Sequence, residues 1–264
     1  MTSLRVRASA RAMRSGAIAP VVASLPVSLR PEETTTVSTE LLAVDGGVDW
    51  PQHLTDAVRQ VKGVLVIHPS PVLPDEVPLA SSVPVVIDYR FASNPAVSTA
   101  ASQFHGWPAG ALVEVSALVR QPTDQDRLLL DQLAILRRLG LPLVDLIRLT
   151  WTSHGYYLRG DAQSRTPVLL SSHVTSGAPP QLTVRGLATD VAVELTVPDP
   201  STARPAVLTR TSDEGATTYP TIWETSHRAA WRRLHAAVTT ATPVTDLTDL
   251  RADLCVAVHA LPDR

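Results

Sequence analysis

Cysteine, lysine and phenylalanine are almost absent from this sequence of 264 residues. Cys255 is the single cysteine, so an internal disulfide is excluded and a reducing, cytoplasmic location is expected. We predict that Cys255 itself is a small buried apolar residue. Lys62 is the single lysine, so any mechanism that requires an amine can use only this side chain.

The sequence also lacks an apolar run of about 18 residues, the length that a membrane-spanning helix requires. Its formal net charge is -2 and its pI is near 6.4, so no strongly basic surface is available for nucleic acid or for an anionic membrane. We therefore expect the partners to be a small polar ligand or another protein.

The first third of the chain alternates predicted strands with predicted helices. The strands are short apolar runs, of which Val64–Ile67 is rich in β-branched residues, as is typical of buried parallel strands. This alternation predicts a small parallel sheet covered on both faces. The predicted strands are 4–6, 41–45, 64–67 and 83–87, and the predicted helices are 10–25 and 54–61.

After Pro95 the pattern changes to a helix, a strand, a second helix and then closely spaced strands. The second helix is predicted over 123–139, with Thr123 as N-cap, Asp124 and Asp126 in its first turn and Gly140 as its stop. Closely spaced strands favour an open, mainly antiparallel sheet. The predicted strands are 111–119, 143–152, 167–174, 181–186, 192–197 and 206–211, and closing helices are predicted over 222–261, the first containing Trp223 to Ala237.

Two segments carry a resemblance to a known family. Val85–Phe91 ends in Asp-Tyr-Arg-Phe, and Gly110 introduces the strand that starts at Ala111. In this order they resemble the glucose-fructose oxidoreductase/inositol dehydrogenase (Gfo/Idh/MocA) family, and the chain is similar to a shortened member. The resemblance implies an α/β plus α+β fold. It implies a reduced Rossmann-like domain over 1–92, and a second domain over 93–264 with an open, mainly antiparallel sheet and helices on one face.

The family's dinucleotide-binding turn has the pattern G-x-G-x-x-G, in which glycine lets the backbone approach the pyrophosphate. The matching stretch here is Ala10-Arg11-Ala12-Met13-Arg14-Ser15, in which small residues replace all three glycines. A methyl group at Ala10 or Ala12 is expected to crowd the phosphate, so we expect no cofactor unless Arg11 and Arg14 compensate by pairing with phosphate. In that case the cofactor is NAD(P).

Two further motifs of the family are incomplete. The E-K-P segment, whose lysine contacts substrate and cofactor in the family, aligns with Glu76–Ala80 and has Val77 in place of the lysine. The D-x-x-x-H motif aligns with Asp126 and Leu130, and an apolar side chain cannot transfer a proton. Asp131, one residue further on, is expected on a different side of the helix.

The remaining candidate catalytic residues are His68, Tyr89, Asp126 and His154. His68 follows a buried strand at the edge where open α/β sheets bind ligands. Each histidine also fits a turn without a function. No histidine or cysteine spacing indicates a metal site.

Three hypotheses follow from these residues. The first is a catalytically degenerate relative that serves as a partner subunit, or as a ligand-binding or scaffold protein, in a biosynthetic pathway. The second is an active NAD(P)-dependent oxidoreductase that acts on a sugar-like, cyclitol-like or imine substrate with atypical site residues. The third is a lyase or isomerase on the same fold.

The strands also predict an assembly. Val144 and Leu146 share one side of the predicted strand 143–152, and they should leave a large apolar patch on the second sheet. We therefore expect a homodimer through this sheet, or a heterodimer with a full-length member of the family.

Overall fold

A computed structural model describes residues 3–15, 17–31, 39–108, 110–122 and 125–262. These residues form two compact units. The first consists of Met1–Tyr89 and Ser226–Ala252, and the second of Arg90–Thr225 and Asp253–Arg264. This grouping differs from the expected domains 1–92 and 93–264, because the first closing helix packs on strands of the first unit. Within the described residues no helix is long and apolar enough to cross a membrane.

The first unit is built on a five-stranded parallel sheet in the order β2-β1-β3-β4-β5. Every residue of β4 and β5 is buried, which explains the continuous apolar runs in the sequence. The strands are β1 Leu4–Ala8, β2 Leu29–Pro31, β3 Leu41–Asp45, β4 Gly63–Ile67 and β5 Val85–Asp88. The helices are α1 Ala10–Ser15, α2 Ile18–Ala23, α3 Trp50–Ala57 and α6 Ser226–Thr240.

Helix α6 completes the core of this unit. Trp231 and Leu234 are fully buried and pack in one cluster with Leu65, Ile67 and Val86 of the sheet. Gly63 permits this packing, because a Cβ atom there would lie 2.7 Å from Val238 Cγ2 and 3.0 Å from Leu234 Cδ1. The late helix therefore covers the sheet that the first 89 residues form.

The second unit is built on an eight-stranded sheet in the order β13-β12-β11-β10-β6-β9-β8-β7. All neighbouring strands are antiparallel except β6 and β9. The strands are β6 Leu112–Val119, β7 Ile147–Thr152, β8 Gly155–Asp161, β9 Pro167–Val174, β10 Gln181–Leu187, β11 Val191–Pro198, β12 Val207–Ser212 and β13 Gly215–Thr218. The mainly antiparallel second sheet is thus confirmed.

Two helices, α4 Pro95–Phe104 and α5 Gln125–Arg138, pack against the same face of this sheet. Asn94 caps α4 by accepting a hydrogen bond from the Ala96 amide at 2.9 Å. Gly186 lies beneath the rings of Phe104 and Trp107, where a Cβ atom would approach within 2.7 Å. The opposite face of the sheet carries Tyr157 and Leu169, both exposed, beside charged side chains.

Several predicted elements differ from the structure. The predicted helix 10–25 is two short helices, because Pro20 disfavours one continuous ladder. The predicted strand 143–152 contains only β7, and Leu146 is buried while Val144 is exposed. The patch predicted from Val144 and Leu146 is therefore wrong in its residues.

Two further predictions are wrong, and a third falls on residues outside the described ranges. Cys255, predicted to be buried, is exposed on the last helix, α7 Asp246–Ala257. Trp223 lies outside the closing helix and is 66% exposed, since that helix begins at Ser226. The predicted capping residue Thr123 and its neighbour Asp124 lie outside the described residues.

Candidate active site

Two histidines and an aspartate meet within the first unit, at the carboxyl ends of β4 and β5. Asp88 is the last residue of β5 and is fully buried. His227, in the first turn of α6, places its Nδ1 2.6 Å from Asp88 Oδ2 and is only 5% exposed. The ring of His68, which follows β4, lies 5.1 Å from the ring of His227, measured between centroids.

The contact between the two side chains depends on where the proton lies. When Asp88 is ionised, its carboxylate only accepts hydrogen bonds, so Nδ1 of His227 then carries the hydrogen that it donates to Asp88. The other ring nitrogen of neutral His227, Nε2, then carries the lone pair that can accept a proton. A carboxylate that orients a histidine in this way also stabilises the imidazolium form.

Asp88 has one more oxygen to satisfy. Its Oδ1 atom has no hydrogen-bond partner within the described residues, and neither has the hydroxyl of Ser226, which is 1% exposed. A buried carboxylate oxygen without a donor costs about 1–3 kcal/mol or more. Buried polar groups of this kind concentrate at functional sites.

The backbone holds His68 in an uncommon conformation. Its φ angle is +46°, in the left-handed region that residues other than glycine seldom adopt. Its amide donates to the carbonyl of Asp88 at 3.0 Å, and the Gly46 amide donates to the carbonyl of Ile67 at 2.8 Å. A Cβ atom on Gly46 would lie 2.5 Å from the His68 carbonyl oxygen, so glycine is required there.

The residues aligned with the E-K-P segment, Glu76–Ala80, lie between β4 and β5 and belong to neither strand. In the structure Pro74–Glu76 is a 3-10 turn, in which Glu76 accepts a hydrogen bond from the Leu73 amide at 2.9 Å. The strand that pairs with β5 is β4, and the residues that follow β4 are His68 and Pro69. Lys62 precedes β4 at the opposite edge, where its Nζ contacts Glu40 Oε1 at 2.9 Å.

The other predicted catalytic residues are not all in this cluster. Tyr89 is buried and directly follows Asp88. Asp126 belongs to the first turn of α5 in the second unit, and His154 is exposed in the tight turn between β7 and β8. His154 Nδ1 lies 3.3 Å from Ser153 Oγ, an arrangement that a turn explains without catalysis.

Asp131 has the structural role of a clamp in the second unit. Its carboxylate accepts hydrogen bonds from the Phe91 amide at 3.0 Å and from the Ala92 amide at 2.6 Å, and Arg138 donates to the Ala92 carbonyl. Burial raises the pKa of Asp131 to about 6, although both amides and the charges of Arg90 and Arg138 act in the opposite direction.

A second feature of the first unit is a pocket of about 540 Å³ at the carboxyl ends of β1 and β3. Ala10 and Arg11 line it, whereas the side chain of Ala12 is fully buried in the core. The methyl group of Ala12 therefore does not line this pocket, whereas Ala10, the other residue expected to crowd a phosphate, does. The side chains of Arg14 and Ser15 lie outside the described part of the chain.

Sequence reasoning missed Asp88 and His227 as site residues. Asp88 ends an otherwise apolar buried strand, and His227 stands on the apolar face of a helix. Both are signals of a buried polar group that requires a partner. No group of three or more metal-ligating side chains exists among the residues that the structure describes.

Comparison with known proteins supports the fold. No family model matches the sequence, and no curated protein matches it. Among solved structures, the chain is similar to the 3-ketoreductase KijD10 from Actinomadura kijaniata, in complex with NADP and TDP-benzene. The TM-score is 0.73 at 12% identity, over 98% of this chain and 97% of that one.

Two other structures agree. UDP-N-acetylglucosamine 3-dehydrogenase GnnA from Acidithiobacillus ferrooxidans gives a TM-score of 0.67 at 14% identity, with 98% of each chain covered. A putative NADPH-dependent oxidoreductase from Desulfitobacterium hafniense gives 0.76 at 9% identity, over 98% of this chain and 95% of that one. The chain therefore shares the fold of these three structures. That it is a shortened member of the family stays a prediction.

Proposed function

We propose that the protein is an enzyme on an oxidoreductase fold, in which His227 exchanges a proton with the carbon next to a carbonyl group of a sugar-like or cyclitol-like substrate. The observation that supports this proposal is the buried contact of 2.6 Å between His227 Nδ1 and Asp88 Oδ2. General acid–base catalysis by a positioned histidine contributes about 10²–10⁴-fold to a rate. This proposal keeps an active enzyme, as the second and third hypotheses do, and not the degenerate relative of the first.

Asp88, His227 and His68 have separate roles in this proposal. Asp88 holds the His227 ring and stabilises the imidazolium, and Nε2 of His227 exchanges the proton with the substrate. When the C–H bond breaks, its electron pair forms the C=C bond of an enol and the carbonyl oxygen takes a proton. We assign this second proton to His68, whose ring lies 5.1 Å from that of His227.

The cofactor of the structural neighbours requires a separate test. NADP is bound in the KijD10 complex, and the fold implies NAD(P) here, where it would supply the hydride chemistry. The turn after β1 does not provide a backbone cradle for a pyrophosphate, because it has no glycine and the Ala12 amide already donates to Ser9 Oγ at 3.2 Å. The residues at this turn therefore do not fit NAD(P).

The test uses hydroxyketones as probes. With 1,3-dihydroxyacetone or D-fructose in deuterium oxide, we expect deuterium uptake at the carbon next to the carbonyl, lowered at least about 100-fold by His227→Gln. His235→Gln, on the same helix, is the matched control and should retain the rate. A parallel assay follows NADPH oxidation with the same probes. Wild-type protein that takes up no deuterium contradicts the proposal, and oxidation of NADPH would show that the turn after β1 does accept the cofactor.

A second proposal concerns assembly. The face of the eight-stranded sheet opposite α4 and α5 carries the exposed residues Ile147, Tyr157 and Leu169. We propose that this face pairs with a second copy or with a full-length relative, the arrangement that the partner-subunit hypothesis requires. Light scattering should give a dimer that Leu169→Glu converts to a monomer. A wild-type monomer, alone and with a neighbouring homologue, excludes both forms.

A further inference from the structure

The pocket at the carboxyl ends of β1 and β3 lies where the order of the parallel strands reverses. Strand β1 pairs with β2 on one side and with β3 on the other, so the connections leave in opposite directions from this point. Open α/β sheets bind their ligands in the crevice that such a reversal creates. A volume of about 540 Å³ is adequate for a small molecule of the size of a nucleoside or a sugar.

The backbone at this pocket is already engaged in local bonds. Helix α1 has six residues, and Ser9 precedes it. The Ser9 side chain accepts a hydrogen bond from the Ala12 amide at 3.2 Å, and the Ser9 carbonyl accepts one from the Met13 amide at 2.9 Å. The helix start therefore offers few amide groups to a phosphate, so ligand recognition depends on the side chains that line the pocket.

These side chains carry more negative than positive charge. Arg7 and Arg11 supply two guanidinium groups, whereas three aspartates supply carboxylates, which leaves a formal charge of -1. The aspartates are Asp45, Asp49 and Asp56. A ligand with several phosphate charges is repelled by such a lining, whereas a hydroxyl group donates to a carboxylate and accepts from a guanidinium.

Asp45 is the most firmly positioned of the three aspartates. Its Oδ2 accepts a hydrogen bond from the Gly47 amide at 3.2 Å. The next residue, Gly46, is fixed against the end of β4, since its amide donates to Ile67 at 2.8 Å and its carbonyl accepts from the Ser70 amide at 2.6 Å. The backbone thus holds the Asp45 carboxylate at the wall of the pocket before any ligand arrives.

We infer that this pocket binds a neutral ligand with adjacent hydroxyl groups, such as a nucleoside or a sugar, through Asp45, rather than the pyrophosphate of a dinucleotide. A nucleoside and a sugar both carry a pair of adjacent hydroxyl groups, which one carboxylate can bind through two hydrogen bonds. This inference is independent of the proton transfer proposed for His227, because its test measures binding only.

The experiment is calorimetric titration of the whole chain with adenosine, 2′-deoxyadenosine, myo-inositol and NADP⁺. We expect adenosine or myo-inositol to bind, and the one that binds identifies the source. If the source is a nucleoside, loss of the 2′-hydroxyl should weaken binding at least about tenfold. Because the ligand is neutral, its affinity should change less than about twofold between 50 and 300 mM salt.

Variants show which residues carry the binding. Asp45→Asn should weaken binding of the neutral probe at least about tenfold. Asp56→Asn, at an exposed position of α3 that also lines the pocket, provides a second variant if Asp45→Asn does not fold. Asp75→Asn is the control, because Asp75 is an exposed aspartate of the same unit that pairs with Arg251 outside the pocket. NADP⁺ binding at least about tenfold tighter than adenosine, or no binding of either neutral probe, overturns the inference.

Discussion

Asp88 in the first unit and Asp131 in the second are both buried aspartates, with 0% and 4% of their surfaces exposed. Asp131 directs both oxygens at backbone amides, those of Phe91 and Ala92, and so satisfies a turn. Asp88 directs one oxygen at the ring of His227, and its other oxygen has no partner within the described residues. Burial alone therefore does not distinguish a structural carboxylate from a chemical one.

The difference between the two lies in how completely the fold satisfies each group. A carboxylate bonded to main-chain amides has one task, which is to hold the chain in place. A carboxylate that holds a titratable ring and retains accepting capacity can serve a reaction. Replacing the carboxylate by an amide should therefore lower activity at Asp88 and the free energy of unfolding at Asp131.

The largest effect is expected on catalysis. Asp88→Asn can still accept the Nδ1 hydrogen of His227, but it lacks the charge that stabilises the imidazolium, so deuterium exchange should fall about 10²–10⁴-fold. Asp131→Asn is the matched control and should stay within about threefold of wild type. Equal losses in the two variants would show that Asp88 acts only through stability.

The next effect is on stability. Asp131→Ala leaves the buried amides of Phe91 and Ala92 without their acceptor, at a cost of about 1–3 kcal/mol each. The free energy of unfolding, measured in urea, should fall by about 4 kcal/mol. Asp131→Asn, which retains an acceptor, should lose less than half as much. If alanine is tolerated without loss, Asp131 does not clamp the turn.

The pH dependence of stability should also reveal Asp131. Its pKa in the folded protein is about 6, above the ordinary value of 3.8, so the folded state binds more protons between these two values. The free energy of unfolding should therefore decrease by up to about 3 kcal/mol as the pH rises from 4 to 6. Asp131→Asn should flatten this slope, and an unchanged slope would assign the effect to other groups.

The smallest effect is expected at Asp126. This residue lies in the first turn of α5, where a negative charge interacts favourably with the helix dipole. Asp126→Asn should lower the free energy of unfolding by well under about 1 kcal/mol and leave turnover unchanged. Loss of turnover in a variant that folds normally would return Asp126 to a catalytic role.

The sequence predicted the fold better than the site. Runs such as Val64–Ile67 and Val85–Asp88 are readable because burial on both faces demands apolar residues throughout a strand. The Asp88–His227 pair joins residues 139 positions apart, which no local pattern reports. His68 was predicted because a histidine after a buried strand stands at the ligand-binding edge, whereas His154 followed from a weaker turn signal.

The register of α5 shows a different limit. The D-x-x-x-H motif aligns with Asp126 and Leu130, and this alignment does not indicate that the fold buries Asp131. Helical periodicity identifies a face only within about one residue, because neighbouring positions differ by 100° around the axis. Asp131 is buried because it accepts hydrogen bonds from the Phe91 and Ala92 amides, and the spacing of residues along the helix does not report these contacts.

The return of α6 to the first unit has a consequence for biosynthesis. Trp231 and Leu234 belong to the same core as Leu65 and Ile67, yet they are translated after the whole segment 90–225. The amino-terminal sheet therefore leaves the ribosome before α6 exists, and α6 can pack on it only after residues 90–225 have been synthesised. Such long-range closure slows folding and exposes apolar surface meanwhile, so chaperone dependence and aggregation of truncated products are expected.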